Sequence, residues 1–152
     1  MPLKLKPDNL ILGPRPGKKS LPRLKELGLT HCVTLLSERE GGPAIEKLSR
    51  QMGADWVWFP LSGGHMETLG QVDPAELADT ISAATSDTPA PKLYLHCSAG
   101  IHRTGFVAHM LLRLSGLTSE EAQSALKQMR EVTSEQVGPD RIALADQLVD
   151  GV

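Results

Sequence analysis

The chain has 152 residues, with 16 Lys and Arg against 18 Asp and Glu, a formal charge of −2. That length holds one domain with a sizeable core but not two. The balanced charge argues against a nucleic-acid or membrane-surface partner. Only five aromatic residues are present, Trp56, Trp58, Phe59, Tyr94 and Phe106, so the core is expected to be aliphatic. Two cysteines, Cys32 and Cys97, make no disulfide framework and fit a reducing compartment. No apolar run is long enough for a bilayer span, and the first seven residues carry no apolar signal core. The expectation is a cytoplasmic protein.

Asn9-Leu10-Ile11-Leu12 predicts a short strand closed by Gly13-Pro14, with residues 1–8 as an N-terminal extension. Ser20 is placed to cap a helix carrying Leu21, Leu24 and Leu27, which Gly28 ends. Residues 31–36 form a nearly continuous apolar run, the pattern of a strand covered on both faces. After Gly41-Gly42-Pro43, helical spacing of Ile45, Leu48 and Met52 leads to Gly53. Trp56-Val57-Trp58-Phe59 predicts a third strand ended by Pro60, and residues 62–70 have no periodicity and read as a loop. Asp73-Pro74-Ala75-Glu76 is a strong helix start, with Leu77 and Ile81 on its apolar stripe.

Lys92-Leu93-Tyr94-Leu95 is a further strand, and a mostly apolar helix over 106–114 follows after a tight loop. Thr118-Ser119-Glu120-Glu121 is a capping box opening a helix with Ala122, Ala125, Leu126 and Met129 inward. Gly138-Pro139-Asp140 precedes a last helix with Ile142, Ala145, Leu148 and Val149. Strands alternating with helices predict a single α/β domain over 1–152. Its central, mostly parallel sheet would have about four to five strands, flanked by helices.

The loop between that strand and helix is His96-Cys97-Ser98-Ala99-Gly100-Ile101-His102-Arg103-Thr104-Gly105. A strand, a tight loop and a helix N-terminus gather backbone N–H groups into an anion site. Cys97 has three local reasons to ionise: the helix N-terminus, Arg103 and the loop amides. Arg103 offers a planar fork for two phosphate oxygens, which Lys cannot match. Gly100 permits the tight path, and the Thr104 hydroxyl is placed to donate to the thiolate.

This stretch resembles the signature loop of the cysteine-dependent protein tyrosine phosphatases, in the form of the dual-specificity subgroup. The resemblance implies the same α/β architecture from about Asn9 onward. It also implies attack by Cys97 on phosphorus to give a phosphocysteine intermediate, with Arg103 and the backbone of Ser98, Ala99, Gly100, Ile101 and His102 holding the phosphate. His96 would orient the loop through backbone hydrogen bonds, and His102 is a candidate rim contact for substrate. Gln136 lies where related enzymes carry a Gln that positions the hydrolytic water. Arg15, in a Gly-x-Arg-Pro pattern, would hold structure or border the site. Cys32 reads as a buried apolar thiol.

The family's general acid is an Asp shortly after the Pro that ends the third strand. Phe59-Pro60-Leu61-Ser62-Gly63-Gly64-His65 resembles the corresponding stretch of the cyclin-dependent-kinase-associated phosphatases without its Asp. His65 and Glu67 are the candidate substitutes, His65 slightly ahead because its pKa suits an acid near neutral pH. Asp73 is explained by its capping role.

The leading expectation is a phosphatase for phosphotyrosine, and for phosphoserine or phosphothreonine. One alternative is an inositol phosphate or phosphoinositide phosphatase, opposed by the absence of Lys inside the loop. Another is a catalytically weak phosphate-binding module, favoured by the missing Asp and opposed by the intact Cys97, Arg103 and Thr104. No cofactor and no metal are expected, the partner is a phosphorylated protein or small phosphoester, and the chain is expected to be a monomer.

Overall fold

The computed structural model describes residues 3–152. Four strands, β1 (Leu10–Gly13), β2 (His31–Thr34), β3 (Asp55–Trp58) and β4 (Leu93–His96), form one parallel sheet in the order β1-β4-β2-β3. β4 is interior, with Leu93 opposite both Leu10 and His31, and His96 opposite both Gly13 and Thr34. All four residues of β2 and of β4 are buried. That is why both read as nearly continuous apolar runs rather than alternating ones.

Among the described residues eight α-helices surround the sheet: α1 (Leu21–Glu26), α2 (Ile45–Gln51), α3 (Met66–Leu69), α4 (Pro74–Thr85), α5 (His102–Leu114), α6 (Ser119–Met129), α7 (Glu131–Gln136) and α8 (Pro139–Asp150). One apolar cluster packs Leu24, Ile45 and Met52 against Cys32, Leu36 and Tyr94. The larger cluster joins Val33, Leu35, Leu93 and Leu95 to Leu77, Ile81, Leu126, Ile142 and the inner residues of α5. α5 is buried from Arg103 to Leu112, so it is the central helix expected from its apolar surface. Cys32 lies in the smaller cluster, where burial pushes its thiol up to about 12.

Leu3 and Leu5, within the expected N-terminal extension, are buried in the larger cluster, and the Leu5 amide donates to Ser115 Oγ at 2.9 Å. Residues 1 and 2 of that segment lie outside the described residues. Ser20 does not cap α1: its backbone is already helical and its hydroxyl closes the preceding turn on Gly17. Asp73 and the Thr118–Glu121 box cap α4 and α6 as expected.

Two short helices fall outside the elements that the sequence pattern predicts. α3 is a single turn within 62–70, too short to show periodicity. α7 contains β-branched Val132 and Thr133, which weaken the local helical signal. Its stability comes from packing. A Cβ at Gly105 would lie 2.7 Å from Val137 Cγ2 and 3.1 Å from Thr133 Cγ2, so the bare face of α5 lets this segment approach closely.

Candidate active site

β4 runs to His96 and delivers Cys97 to the carboxyl edge of the sheet, where α5 begins five residues later. Gly100 makes the intervening turn at φ +74°. A Cβ there would stand 2.3 Å from the Gly13 carbonyl oxygen, so glycine is needed both for the left-handed backbone and for the close approach of β1.

The loop's carbonyls are tied outward. The Arg15 amide donates to Ser98 O at 2.9 Å. Arg130 Nη1 reaches Ala99 O at 3.2 Å and Gly100 O at 2.9 Å, and the Thr133 hydroxyl donates to Gly100 O at 2.6 Å. His96 Nδ1 bonds Cys97 O at 3.0 Å. By contrast, among the described residues the amides of 98–103 make no bond to a backbone carbonyl. Those of Gly100 and Ile101 turn inward to the Cys97 sulfur, as an anion cradle requires.

Cys97 is only 3% exposed, and the Thr104 hydroxyl donates to its sulfur at 3.1 Å. Burial is the largest influence on the thiol and opposes ionisation. The bonds from the Thr104 hydroxyl and from the amides of Thr104, Ile101 and Gly100 outweigh it together, leaving the thiol below its ordinary value. The resting nucleophile is therefore biased toward thiolate.

Arg103 is held by a partner that the sequence did not suggest. Its Nη1 and Nη2 donate to Glu40 Oε1 and Oε2 at 2.6 and 2.9 Å, and Nη1 also donates to Leu61 O at 2.9 Å. Three of five guanidinium protons are thus committed. The Nε proton and the second Nη2 proton remain, an edge whose geometry can grip two oxygens of a phosphate. Glu40 is itself fixed by the Ser37 amide and hydroxyl, each 3.0 Å from Oε1. The Arg15 guanidinium binds the Glu40 carbonyl. Arg103 first, and then the Ser37 bonds, hold the Glu40 carboxyl down at about 2 against a smaller contrary effect of burial.

His96 stands in a buried relay. Its Nδ1 faces a carbonyl and must carry the proton, so Nε2 accepts from the Thr34 hydroxyl at 2.8 Å. Thr34 in turn accepts from Trp56 Nε1 at 2.9 Å. Burial keeps the imidazole neutral, with its pKa near 4. Thr34→Val keeps the shape and removes the hydroxyl, leaving His96 Nε2 and the indole N–H unpaired. The expected cost is about 1–3 kcal/mol in urea unfolding.

A cavity of about 170 Å³ opens over the cradle, lined by Cys97, Ser98, Ala99, Ile101, His102, Arg103, Gly64 and Gln136. Gln136 and His102 are thus brought to the nucleophile. His65 and Glu67 are not among the lining residues. His65 is exposed at the start of α3, and Glu67 faces a separate cavity of about 620 Å³ with Trp58, Asp73 and Glu76. Asp73 Oδ1 accepts from the Ala75 amide at 3.0 Å. Arg15 braces the Glu40 turn and does not line the cavity. Among the described residues no group of three His, Cys, Asp or Glu side chains could hold a metal ion, and no helix is long and apolar enough to cross a membrane.

Similarity to known proteins runs through the fold and the loop together. Tk-PTP in its active form superposes with a TM-score of 0.71 at 17% identity, covering 95% of this chain and 93% of that one. PTPMT1 in complex with PI(5)P gives 0.69 at 19% identity, covering 95% and 92%. Kinase associated phosphatase, with its catalytic cysteine replaced by serine, gives 0.67 at 21% identity, covering 93% and 85%. No curated protein sequence matches the chain. A model of the tyrosine phosphatase family matches residues 15–124, a span that takes in the Glu40 turn and the whole Cys97 loop. By that match the chain belongs to the tyrosine phosphatase family, within the cysteine-based protein tyrosine phosphatase superfamily.

Proposed function

We propose that this protein hydrolyses phosphotyrosine esters, and with them phosphoserine and phosphothreonine esters, through a phosphocysteine intermediate on Cys97. The observation that carries the reading is the pairing of a thiol held below its ordinary pKa with an arginine that lines the same small cavity. The Cys97 sulfur attacks phosphorus as the P–O bond to the leaving group breaks, while the amides of 98–103 and Arg103 take up the charge of the equatorial oxygens. Gln136, at the cavity wall, positions the water that then cleaves the S–P bond. The cavity's small size suits a shallow, dual-specificity pocket. The enzyme works as a cytoplasmic monomer without a cofactor.

A second reading, a phosphoinositide or inositol phosphate substrate, is favoured by the likeness to PTPMT1 in complex with PI(5)P and by Arg141 beside His102. Against it, Ala99 and Ile101 supply no cation inside the loop.

The test is turnover of a phosphotyrosine peptide, a phosphothreonine peptide and a phosphatidylinositol phosphate, each acid-quenched for mass spectrometry. Phosphate release from the peptides, with one phosphoryl group on the fragment holding Cys97, is the expected result. Release from the lipid alone moves the substrate class to the second reading. No release from any ester, with vanadate still bound, replaces catalysis with phosphate binding.

A further inference from the structure

The cavity over Cys97 contains no carboxylic acid, yet departure of an alkoxide or phenoxide calls for a proton. Of the side chains that line it, Ser98 and Gln136 do not titrate near neutrality, Cys97 is the nucleophile and Arg103 stays charged. His102 is the remaining titratable group.

Its position is built from three elements. It is the first residue of α5, next to the phosphate-gripping Arg103. Gly64, from the segment after β3, lies so close that a Cβ there would be 2.8 Å from His102 Cβ. That segment is pinned by Arg141 of α8, whose Nε donates to Gly64 O at 2.8 Å while Nη1 donates to Val137 O at 3.1 Å. The Gln136 backbone at the end of α7 also bonds the imidazole. The stretch that in the wider family brings an Asp to the site here brings a bare glycine surface, and an imidazole occupies the space against it.

We propose that His102 is the proton donor to the leaving-group oxygen, and the base that receives a proton from water in the second step. In the first step the Cys97 sulfur forms the S–P bond, the P–O bond breaks, and the leaving oxygen takes the imidazolium proton. In the second step water attacks phosphorus, the S–P bond breaks to regenerate the thiolate, and the water proton returns to the neutral imidazole. Atoms and charge balance without a further reactant. The proposal deepens the phosphatase reading above and rests on it.

The charges around the imidazole make its protonation depend on substrate. Burial, then Arg141 from α8 and Arg103 from its own helix, lower its proton affinity in the free protein, against a smaller opposite effect of the Gln136 backbone. Gly64 contributes no charge. A dianionic phosphate in the cradle faces the same imidazole and favours the cation. Substrate binding thus favours the protonated imidazole that the first step uses.

The experiment is a series of phosphate monoesters of rising leaving-group pKa, from 4-nitrophenyl through phenyl to alkyl. It is run for wild type, His102→Gln and His65→Gln, with vanadate inhibition as a measure of the intact cradle. His102→Gln is expected to lose about 10²–10⁴-fold on alkyl esters and far less on the 4-nitrophenyl ester. It should also lose the alkaline limb of kcat on the alkyl ester while keeping vanadate inhibition. A uniform loss along the series, or none, overturns the proposal by making His102 structural. Selective loss on poor leaving groups in His65→Gln overturns it in favour of His65. A wild type inert toward every ester removes the phosphatase reading and this proposal together, whereas an active wild type with parallel lines removes this proposal alone.

Discussion

Cys97→Ser is expected to lower turnover of every phosphoester by about 10⁴-fold or more while leaving phosphopeptide binding within about tenfold of wild type. The substitution keeps the size of a side chain that is almost fully buried. It exchanges a thiol whose ionisation is supported by the Thr104 hydroxyl and three loop amides for a hydroxyl that stays protonated near pH 7. Those amides and Arg103 remain in place, because the outward ties of the loop run through Arg15, Arg130, Thr133 and His96 rather than through sulfur. Affinity for a dianion is expected to hold or to improve, since a thiolate no longer repels it. Calorimetry with a phosphotyrosine peptide, beside a turnover assay, separates the two effects. Residual activity above a few per cent of wild type would show that the chemistry does not pass through Cys97.

The same substitution shows why so much of the site was legible. Everything from Cys97 to Thr104 is contiguous, so strand, loop and helix N-terminus could be read as one local unit. β2 and β4 were legible because burial on both faces leaves a nearly continuous apolar run. What escaped was assembled over distance. Glu40 lies 63 residues before Arg103, in a turn whose only local sign is Ser37 three residues ahead of it. Arg130 and Thr133 were missed with α7, a helix that depends on the gap at Gly105 rather than on its own propensity. His65 and Glu67 were chosen by sequence distance from Pro60. Only the folded path of the chain, tied by Arg141 at Gly64, determines that Gly64 lines the cavity and that His65 and Glu67 do not.

Glu40→Gln is expected to reduce kcat by about 10²-fold and to destabilise the fold by about 1–2 kcal/mol at neutral pH. The carboxylate uses both oxygens to fix the guanidinium plane, and the amide offers one acceptor and turns its NH₂ toward Arg103. Arg103 is 6% exposed, so its lost bonds are not replaced freely by water. The Nε–Nη2 edge then loses the orientation that presents it to phosphate, and the fall should appear in kcat as well as KM. The destabilisation is small because a third of the Glu40 side chain is in solvent, where screening weakens the pair.

A carboxyl whose folded value is depressed contributes stability above its unfolded value and loses it as pH falls through the folded one. For Glu40 that window runs from 4.5 down to about 2. His96, also depressed, favours the folded state above 6.5 and loses that contribution toward about 4. Urea unfolding of wild type should therefore weaken in two stages on acidification. Glu40→Gln should keep the first stage, to which His96 contributes, and show a shallower second one, because Asp146 is also depressed and still titrates there. A variant that tracks wild type down to pH 3 would mean that the Glu40–Arg103 pair does not hold the loop together in solution.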